Sequence, residues 1–206
     1  IWKSIDNGTT WSPMSDELPQ IGVSGIAVDY SDSNTIYITT GDKDATDTYS
    51  IGVLKSTDGG VTWNTTGLSF ANTTTTAGDI LIHPTNNQIL WCATSVGLYK
   101  TSNAGTTWTM VQTGDFAQGS IRLKPGTPST VYATSNNRFF RSTNSGDTFT
   151  QITTGLPLSN GRMIMDVTPA NSEYVYILAS TTSSGFQGIY RSVNGGTNWT
   201  KMSGTT

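Results

Sequence analysis

The chain has 206 residues, of which 12% are charged, and its formal net charge is −3. Its Lys and Arg residues are spread along the chain without a basic patch, which excludes nucleic acid as a partner, and no apolar run is long enough for membrane insertion. The remainder is rich in Thr, Ser, Asn and Gly, a composition that favours short strands joined by tight turns.

An eight-residue motif, here called the octad, recurs five times. Its pattern is Ser/Thr-x-Asp/Asn-x-Gly-x-Thr/Asn-Trp/Phe, and the five copies begin at Ser4, Ser56, Thr101, Ser142 and Ser192. A basic residue precedes each copy, at Lys3, Lys55, Lys100, Arg141 and Arg191. Such an internal repeat predicts a repeat architecture.

A second signature has the same period. Turns begin at Asp29, His83, Lys124 and Thr168, and eight residues after each stands an aromatic residue, at Tyr37, Trp91, Tyr132 and Tyr176. The two signatures together predict an all-β chain, a β-propeller of four-stranded antiparallel blades. In the second full repeat we expect strands at 78–82, 88–94, 97–101 and 106–111.

About four and a half blades are expected in a single propeller region over 1–206. The half blade is placed at 1–15, and full blades are placed at 20–67, 76–112, 117–153 and 160–203. Because an unclosed ring leaves blade faces open, we expect the remaining blades to belong to the same, longer polypeptide.

Loop lengths separate the two faces of the propeller. The links between first and second strands and between third and fourth strands are constant, and they open on one face, the constant-turn face. The other links vary in length from repeat to repeat and lie on the opposite face, the variable-loop face. Variable loops on a constant scaffold are where binding sites are usually placed, so we expect the site there.

The octads are predicted to be structural. Their acids and amides can accept hydrogen bonds from their own turn, at Asp6, Asp58, Asn103, Asn144 and Asn194. A general base would not tolerate exchange for an amide between copies. Their aromatic residues can pack between blades, at Trp11, Trp63, Trp108, Phe149 and Trp199.

The best candidate site outside the repeat is the insertion 41–50. Asp42, Asp44 and Asp47 present three carboxylates within six residues, beside the Tyr49 hydroxyl. Oxygen ligands at this density could hold Ca²⁺, the only cofactor that the sequence suggests. The alternative is a solvated acidic loop ordered by Asp–backbone hydrogen bonds.

A second insertion, 181–188, offers Phe186 and Gln187 for stacking on a sugar or peptide. Asp79 and Arg162 lie near the starts of innermost strands. If the protein is an enzyme, Asp42 and Asp79 are the catalytic candidates. His83 is predicted to be a turn residue and Cys92 a buried one. Because the chain has one His and one Cys, a zinc site or a Cys–His nucleophile is excluded within it.

The octads resemble those of the Asp-box (BNR) repeat propellers, which include sialidases, xyloglucanase-type glycoside hydrolases, the Vps10 domain of sortilin and photosystem II assembly propellers. The segment 40–56 is similar to secreted surface propellers of Bacteroidetes, which implies type IX secretion. The resemblance implies a ring of about seven to ten blades, with the octads away from the active face. The resemblance specifies the fold more closely than it specifies the activity.

Two functions remain open. The first is a secreted or cell-surface binding or scaffold module that recognises a glycan or a protein through the variable-loop face. The second is part of a xyloglucanase-like glycoside hydrolase, which requires two facing carboxylates on that face. An intracellular assembly factor is a third alternative.

Overall fold

The structure, a computed structural model, describes residues 1–18, 22–44, 48–71 and 74–203. Within these residues, 18 strands form one two-stranded sheet and four four-stranded antiparallel sheets. The described residues include no helix that is long and apolar enough to cross a lipid bilayer.

Each four-stranded sheet takes its strands in chain order. The half blade contains β1 (Trp2–Lys3) and β2 (Ser12–Pro13). Blade 1 contains β3 (Val23–Val28), β4 (Ile36–Thr40), β5 (Gly52–Ser56) and β6 (Asn64–Ser69). Blade 2 contains β7 (Ala77–Ile82), β8 (Leu90–Thr94), β9 (Gly97–Thr101) and β10 (Thr109–Thr113). Blade 3 contains β11 (Ile121–Lys124), β12 (Thr127–Thr134), β13 (Phe139–Ser142) and β14 (Thr150–Ile152). Blade 4 contains β15 (Met163–Val167), β16 (Val175–Ser180), β17 (Phe186–Ser192) and β18 (Thr200–Lys201).

The first strands of successive blades contact one another, β3 with β7, β7 with β11 and β11 with β15. The sheets therefore stack around their innermost strands, and the chain forms about four and a half blades of a β-propeller. The predicted fold class is confirmed.

The core lies between blades. The second-strand aromatics Tyr37, Trp91 and Tyr132 are almost fully buried, and β4 and β8 are buried on both faces. Burial on both faces follows because each sheet is covered by the sheet before it and the sheet after it. In β16 of blade 4, buried and exposed residues alternate instead.

All five octads form the same turn. In blade 1, Ser56 Oγ donates to Asp58 Oδ1 (2.8 Å) and accepts a hydrogen bond from Gly60 N (2.8 Å). Asp58 Oδ1 also accepts a hydrogen bond from Thr62 N (2.8 Å). The same three bonds recur in the other four copies. The polar side chains of the octad are thus used to close their own turn.

In blades 2 and 3 an amide substitutes for the acid without loss of a bond. Thr62 Oγ1 donates to Asp58 Oδ2 (2.6 Å), whereas Asn103 Nδ2 donates to Thr107 Oγ1 (2.8 Å) in blade 2. The hydroxyl reverses its role because it can both donate and accept. This explains the Asn of blades 2 and 3, whereas in blade 4 Asn194 Oδ1 accepts the hydrogen bond from Asn198 N (2.9 Å).

The two acidic octads predict an acid-sensitive contribution to stability. Hydrogen bonds from the side chain and then the backbone of the threonine at octad position seven lower the pKa of Asp6 and of Asp58 from 3.8 to about 2. Because the folded pKa is depressed, this contribution is complete above pH 3.8 and is lost as the pH falls towards 2. We expect the double variant Asp6→Asn, Asp58→Asn to be less sensitive to acid than the parent chain.

The measurement is the urea midpoint at pH 5, 3.5 and 2.5, with Asp16→Asn as the control because Asp16 is exposed and lies outside the octads. The difference between parent and double variant should shrink with falling pH. A difference independent of pH would contradict the assignment.

The constant turns lie on one face, as the loop lengths predict. In each full blade, the fourth octad residue donates its N–H to a carbonyl at or just before the start of the second strand. The pairs are Gly59–Asn34, Ala104–Gln88, Ser145–Ser129 and Gly195–Glu173, at 2.7 to 3.0 Å.

Each octad of a full blade packs against the preceding blade through its aromatic residue. Trp63 Nε1 donates to Met14 O of the half blade (2.8 Å), and Trp199 meets the Phe139 ring edge-on at a centroid distance of 4.9 Å. Trp108 and Phe149 pack in clusters with the second-strand aromatics of the blade before them. Trp11, in the half blade, is 57% exposed.

Three of the basic residues that precede octads reach the octad of the next blade. Lys3 Nζ donates to Gly59 O (3.0 Å), Lys100 Nζ pairs with Asp147 Oδ1 (2.6 Å), and Arg141 Nη1 donates to Thr197 Oγ1 (3.1 Å). Lys55 lies over the Tyr37 ring and Arg191 over the Tyr174 ring.

Two strand boundaries predicted for blade 2 are wrong. The second strand begins at Leu90, because Ile89 N still donates to Asn86 O in the preceding turn. The fourth strand begins at Thr109 and not at Thr106, because Thr106 N and Thr107 N both donate to Asn103 within the octad turn.

Candidate functional site

The described parts of the insertion 41–50, residues 41–44 and 48–50, lie between β4 and β5 on the variable-loop face. Asp42 N donates to Thr48 O (2.9 Å), which closes the base of the loop. Asp44 N donates to Asp42 Oδ1 (2.8 Å), and Lys43 N donates to Ser24 Oγ (3.1 Å). These bonds fix the backbone and direct Asp44 away from its own blade.

The insertion is bonded to the loops that lead into blades 3 and 4. Gln118 Nε2 donates to Lys43 O (3.1 Å), and Arg162 Nε donates to Gln118 O (3.2 Å). Arg162 Nη1 pairs with Asp44 Oδ1 at 2.9 Å. Residues from three blades therefore form one closed ring of hydrogen bonds and an ion pair, here called the polar circuit. Because the ion pair is substantially exposed, its contribution to stability is small, and its effect is to position the loop.

A second charged group lies on the innermost strands. Asp79 Oδ2, on β7, accepts hydrogen bonds from Ile121 N (2.9 Å) and Arg122 Nη1 (2.9 Å) of β11. Arg122 Nε pairs with Asp166 Oδ1 of β15 at 3.1 Å. One guanidinium thus bridges two carboxylates across three blades.

The two groups border one open cavity of about 460 Å³. The polar residues that line it are Lys43, Asp79, Gln118, Arg122, Arg162 and Asp166. The apolar residues that line it include Ile164 and Leu178 of blade 4. A cavity lined by both polar groups and apolar surface suits an amphipathic ligand.

The second insertion borders an adjoining hollow of about 380 Å³. Phe186 is 64% exposed at its edge, and Arg162 and Leu178 line both cavities. Gln187 Nε2 donates to Ser159 O (2.8 Å), which ties this insertion to the loop between blades 3 and 4. The aromatic ring is therefore exposed on a fixed strand end.

The structure brings some of the predicted site residues together. Asp42, Asp44 and the exposed Tyr49 share one loop, and Arg162 connects that loop with the hollow beside Phe186. Asp47 lies outside the described residues. The described ranges hold no group of three His, Cys, Asp or Glu side chains arranged for a metal, so the calcium site stays a prediction.

His83 and Cys92 have structural surroundings. His83 Nδ1 accepts a hydrogen bond from Asn86 N (3.1 Å), and its ring centroid lies 6.2 Å from that of Trp91. Partial burial and the nearby Lys100 lower the pKa of His83 below its ordinary value. Burial raises the pKa of the Cys92 thiol, which disfavours the thiolate needed for nucleophilic chemistry.

The sequence reasoning missed four residues of this site: Lys43, Gln118, Arg122 and Asp166. A signal for two of them exists. Arg122 and Asp166 are charged residues within first strands that are otherwise largely apolar, each two residues before the turn that ends the strand. Charges of opposite sign at the same position of neighbouring blades indicate a pair across the inner surface.

The stacked blades, octads on one face and a polar circuit on the other define a multi-bladed β-propeller. The chain belongs to the Sortilin-Vps10 family: the family model described as "Sortilin, neurotensin receptor 3," matches residues 96–206, more than half of the chain.

Similar proteins include xyloglucanases. Xyloglucanase Xgh74A of Acetivibrio thermocellus is 34% identical over 116 residues, which cover 50% of this chain and 14% of the relative. A xyloglucanase of Paenibacillus sp. is 25% identical over an alignment 212 positions long, and the match covers 95% of this chain and 18% of the relative. The chain thus spans less than a fifth of the length of these curated relatives. The solved structure of an ancestral GH74 enzyme matches with a TM-score of 0.72 and 23% identity, over 96% of this chain and 26% of that one.

Proposed function

We propose that this chain is the glycan-binding part of a secreted propeller and that a polysaccharide segment binds on its variable-loop face. The observation that carries the proposal is the circuit of Asp44, Gln118 and Arg162. It fixes an insertion from one blade against two others, beside a cavity lined by both polar and apolar residues.

Sugar rings present hydroxyls at their rims and apolar C–H surfaces on their faces. Arg162, Gln118 and Lys43 offer polar groups for the hydroxyls, and Phe186 offers an exposed ring for a sugar face. The cavity that the polar groups line and the hollow beside Phe186 adjoin each other, because Arg162 lines both. The arrangement suits a neutral, extended glycan better than a compact anion, because Asp79 and Asp166 partly neutralise Arg122.

The relatives named xyloglucanases support a polysaccharide ligand. A polysaccharide is met outside the cell, which supports secretion. The identical turns of the five octads support assignment to the Asp-box repeat propellers within the wider family. Similarity to secreted Bacteroidetes propellers and type IX secretion remain predictions from segment 40–56.

Phe186→Ala should weaken binding of a xyloglucan oligosaccharide about tenfold, because the apolar contact with one sugar face is lost. The ring is exposed, so the variant should unfold at the same temperature as the parent. The measurement is the dissociation constant by isothermal titration calorimetry. Val61→Ala is the matched control, since Val61 is exposed on the constant-turn face. Equal affinities for the parent and Phe186→Ala would remove Phe186 from the site.

A part of a glycoside hydrolase is the second candidate, favoured by the names of the relatives. Asp79 and Asp166 both pair with the Arg122 guanidinium, and Asp42 lies on the insertion 41–50. Both hydrogen bonds to Asp79 are donated to Oδ2, so proton donation from that oxygen would require both to break. A reducing-sugar assay on xyloglucan separates the candidates. Turnover that Asp42→Ala and Asp79→Ala together abolish supports the hydrolase, and binding without turnover supports the binding module.

A further inference from the structure

The turn between β7 and β8 is closed by the imidazole of His83, the only histidine in the sequence. His83 Nδ1 accepts hydrogen bonds from the backbone N–H groups of Thr85 (3.3 Å) and Asn86 (3.1 Å). Because a backbone N–H can only donate, Nδ1 must carry a lone pair and no proton. The closed turn therefore requires the neutral imidazole, with its proton on Nε2.

Two other blades close the corresponding turn with an oxygen in place of the imidazole nitrogen. Asp29 Oδ1 accepts a hydrogen bond from Ser31 N (2.8 Å) in blade 1, and Thr168 Oγ1 accepts one from Ala170 N (3.2 Å) in blade 4. Each acceptor is bonded to the N–H two residues further along, as in blade 2. A carboxyl group titrates near about pH 4 and a hydroxyl does not titrate in water, whereas a histidine changes charge between about pH 5 and pH 8.

The turn of blade 2 supports the contact between blades 1 and 2. Gln88 O, at the end of the turn, accepts the N–H of Ala104 in the octad of the same blade (2.9 Å). Ala104 O in turn accepts a hydrogen bond from Tyr37 Oη of blade 1 (3.1 Å). The side chain of Asn87 also forms a hydrogen bond with the carboxylate of Asp29 in blade 1. Opening of the turn would therefore loosen the contact between these two blades.

The surroundings of the imidazole disfavour its protonated form. Its ring centroid lies 6.2 Å from that of the fully buried Trp91. Partial burial, and then the charge of Lys100 on β9, lower the pKa of His83 below its ordinary value. The carboxylates that adjoining blades bring to this region are engaged by other groups, Asp29 by its own turn and Asp147 Oδ1 by Lys100 Nζ at 2.6 Å.

We propose that His83 makes this turn a pH-sensitive switch at the contact between blades 1 and 2. The neutral imidazole closes the turn, whereas protonation at Nδ1 sets a new N–H against two backbone N–H donors and opens it. Because the folded pKa is depressed, the stabilisation is complete above the ordinary histidine pKa of about 6.5 and is lost as the pH falls towards the folded value. The octad acids respond only below pH 3.8, so the two effects occupy different pH ranges.

The first test is a pH titration of the whole chain by NMR, in which the single histidine gives one unambiguous imidazole signal. We expect a midpoint below about 6.5 and, at pH 7.5, the nitrogen shifts of the Nε2–H tautomer. One pH unit below that midpoint, amide exchange of Thr85 and Asn86 should rise at least about fivefold relative to Ser31, because their hydrogen bonds are lost. Ser31 is the matched amide of the turn in blade 1, so the ratio removes the general pH dependence of exchange.

His83→Asp separates the switch from the turn, because blade 1 closes the same turn with Asp29. The variant should keep the circular dichroism of the parent, and its urea midpoint should fall less than that of the parent between pH 7.5 and pH 5. A histidine that titrates at or above 6.5, an exchange ratio that does not change with pH, or equal pH dependence of the two urea midpoints would each overturn the proposal. If the variant does not fold, the titration and the exchange ratio of the parent still decide the outcome.

Discussion

Tyr132→Ala should lower the free energy of unfolding by about 3–5 kcal/mol, the cost of removing a fully buried aromatic side chain. Tyr132 is 0% exposed, and its ring lies 5.8 Å from that of Phe139 and against Gly196 of the next octad. Burial raises the pKa of its hydroxyl to about 12, consistent with a dry position between blades 3 and 4. Removing the ring leaves a cavity at the point where two blades meet.

Tyr176→Ala is the matched control, because Tyr176 holds the same repeat position in blade 4 but is 37% exposed. Its loss should cost at most about 1 kcal/mol. Urea denaturation measures both variants. Equal costs would contradict the account of blade packing.

Gly146→Ala should destabilise the chain by about 2–5 kcal/mol, from backbone strain together with overpacking. Gly146 has φ of +76°, and a Cβ there would lie 2.2 Å from Trp91 Nε1. Neither atom can move freely, since Trp91 is fully buried. The substitution should therefore separate blade 3 from blade 2 locally.

Gly8→Ala isolates the backbone part of this effect. Gly8 is the fifth octad residue in the half blade, with φ of +86°, and a Cβ there would meet only Trp11 at 3.7 Å. It should cost about 1–2 kcal/mol, the strain of a left-handed alanine alone. Thermal unfolding in a calorimeter measures the difference, and a Gly146→Ala variant as stable as Gly8→Ala would show that the clash with Trp91 is relieved.

The fold could be predicted because its signals are local and repeated. An octad closes its turn with its own side chains, so Ser56, Asp58 and Gly60 predict the turn without knowledge of the rest of the chain. The regular spacing to aromatics such as Tyr37 then gives the strand order. Strand ends were less predictable, because Thr106 favours a strand by type but is used by the turn.

The sequence predicts which face of the propeller carries the site but not how the residues of the site are arranged. Loop lengths identify the variable-loop face, and composition identifies Asp44 and Phe186, but the pair of Asp44 with Arg162 joins residues 118 positions apart. That contact depends on the path of an insertion across the face, which no local pattern encodes. Arg122 was missed for a related reason, since its role depends on partners from two other blades.

The central claim is that the octads shape the blades while ligands bind on the opposite face. Hydrogen–deuterium exchange with and without a xyloglucan oligosaccharide tests it most directly. The account predicts added protection at 41–44, 117–122, 160–166 and 181–188 and none in the octads. Protection centred on the octads at 56–63, 101–108 and 142–149, with the variable loops unchanged, would contradict it.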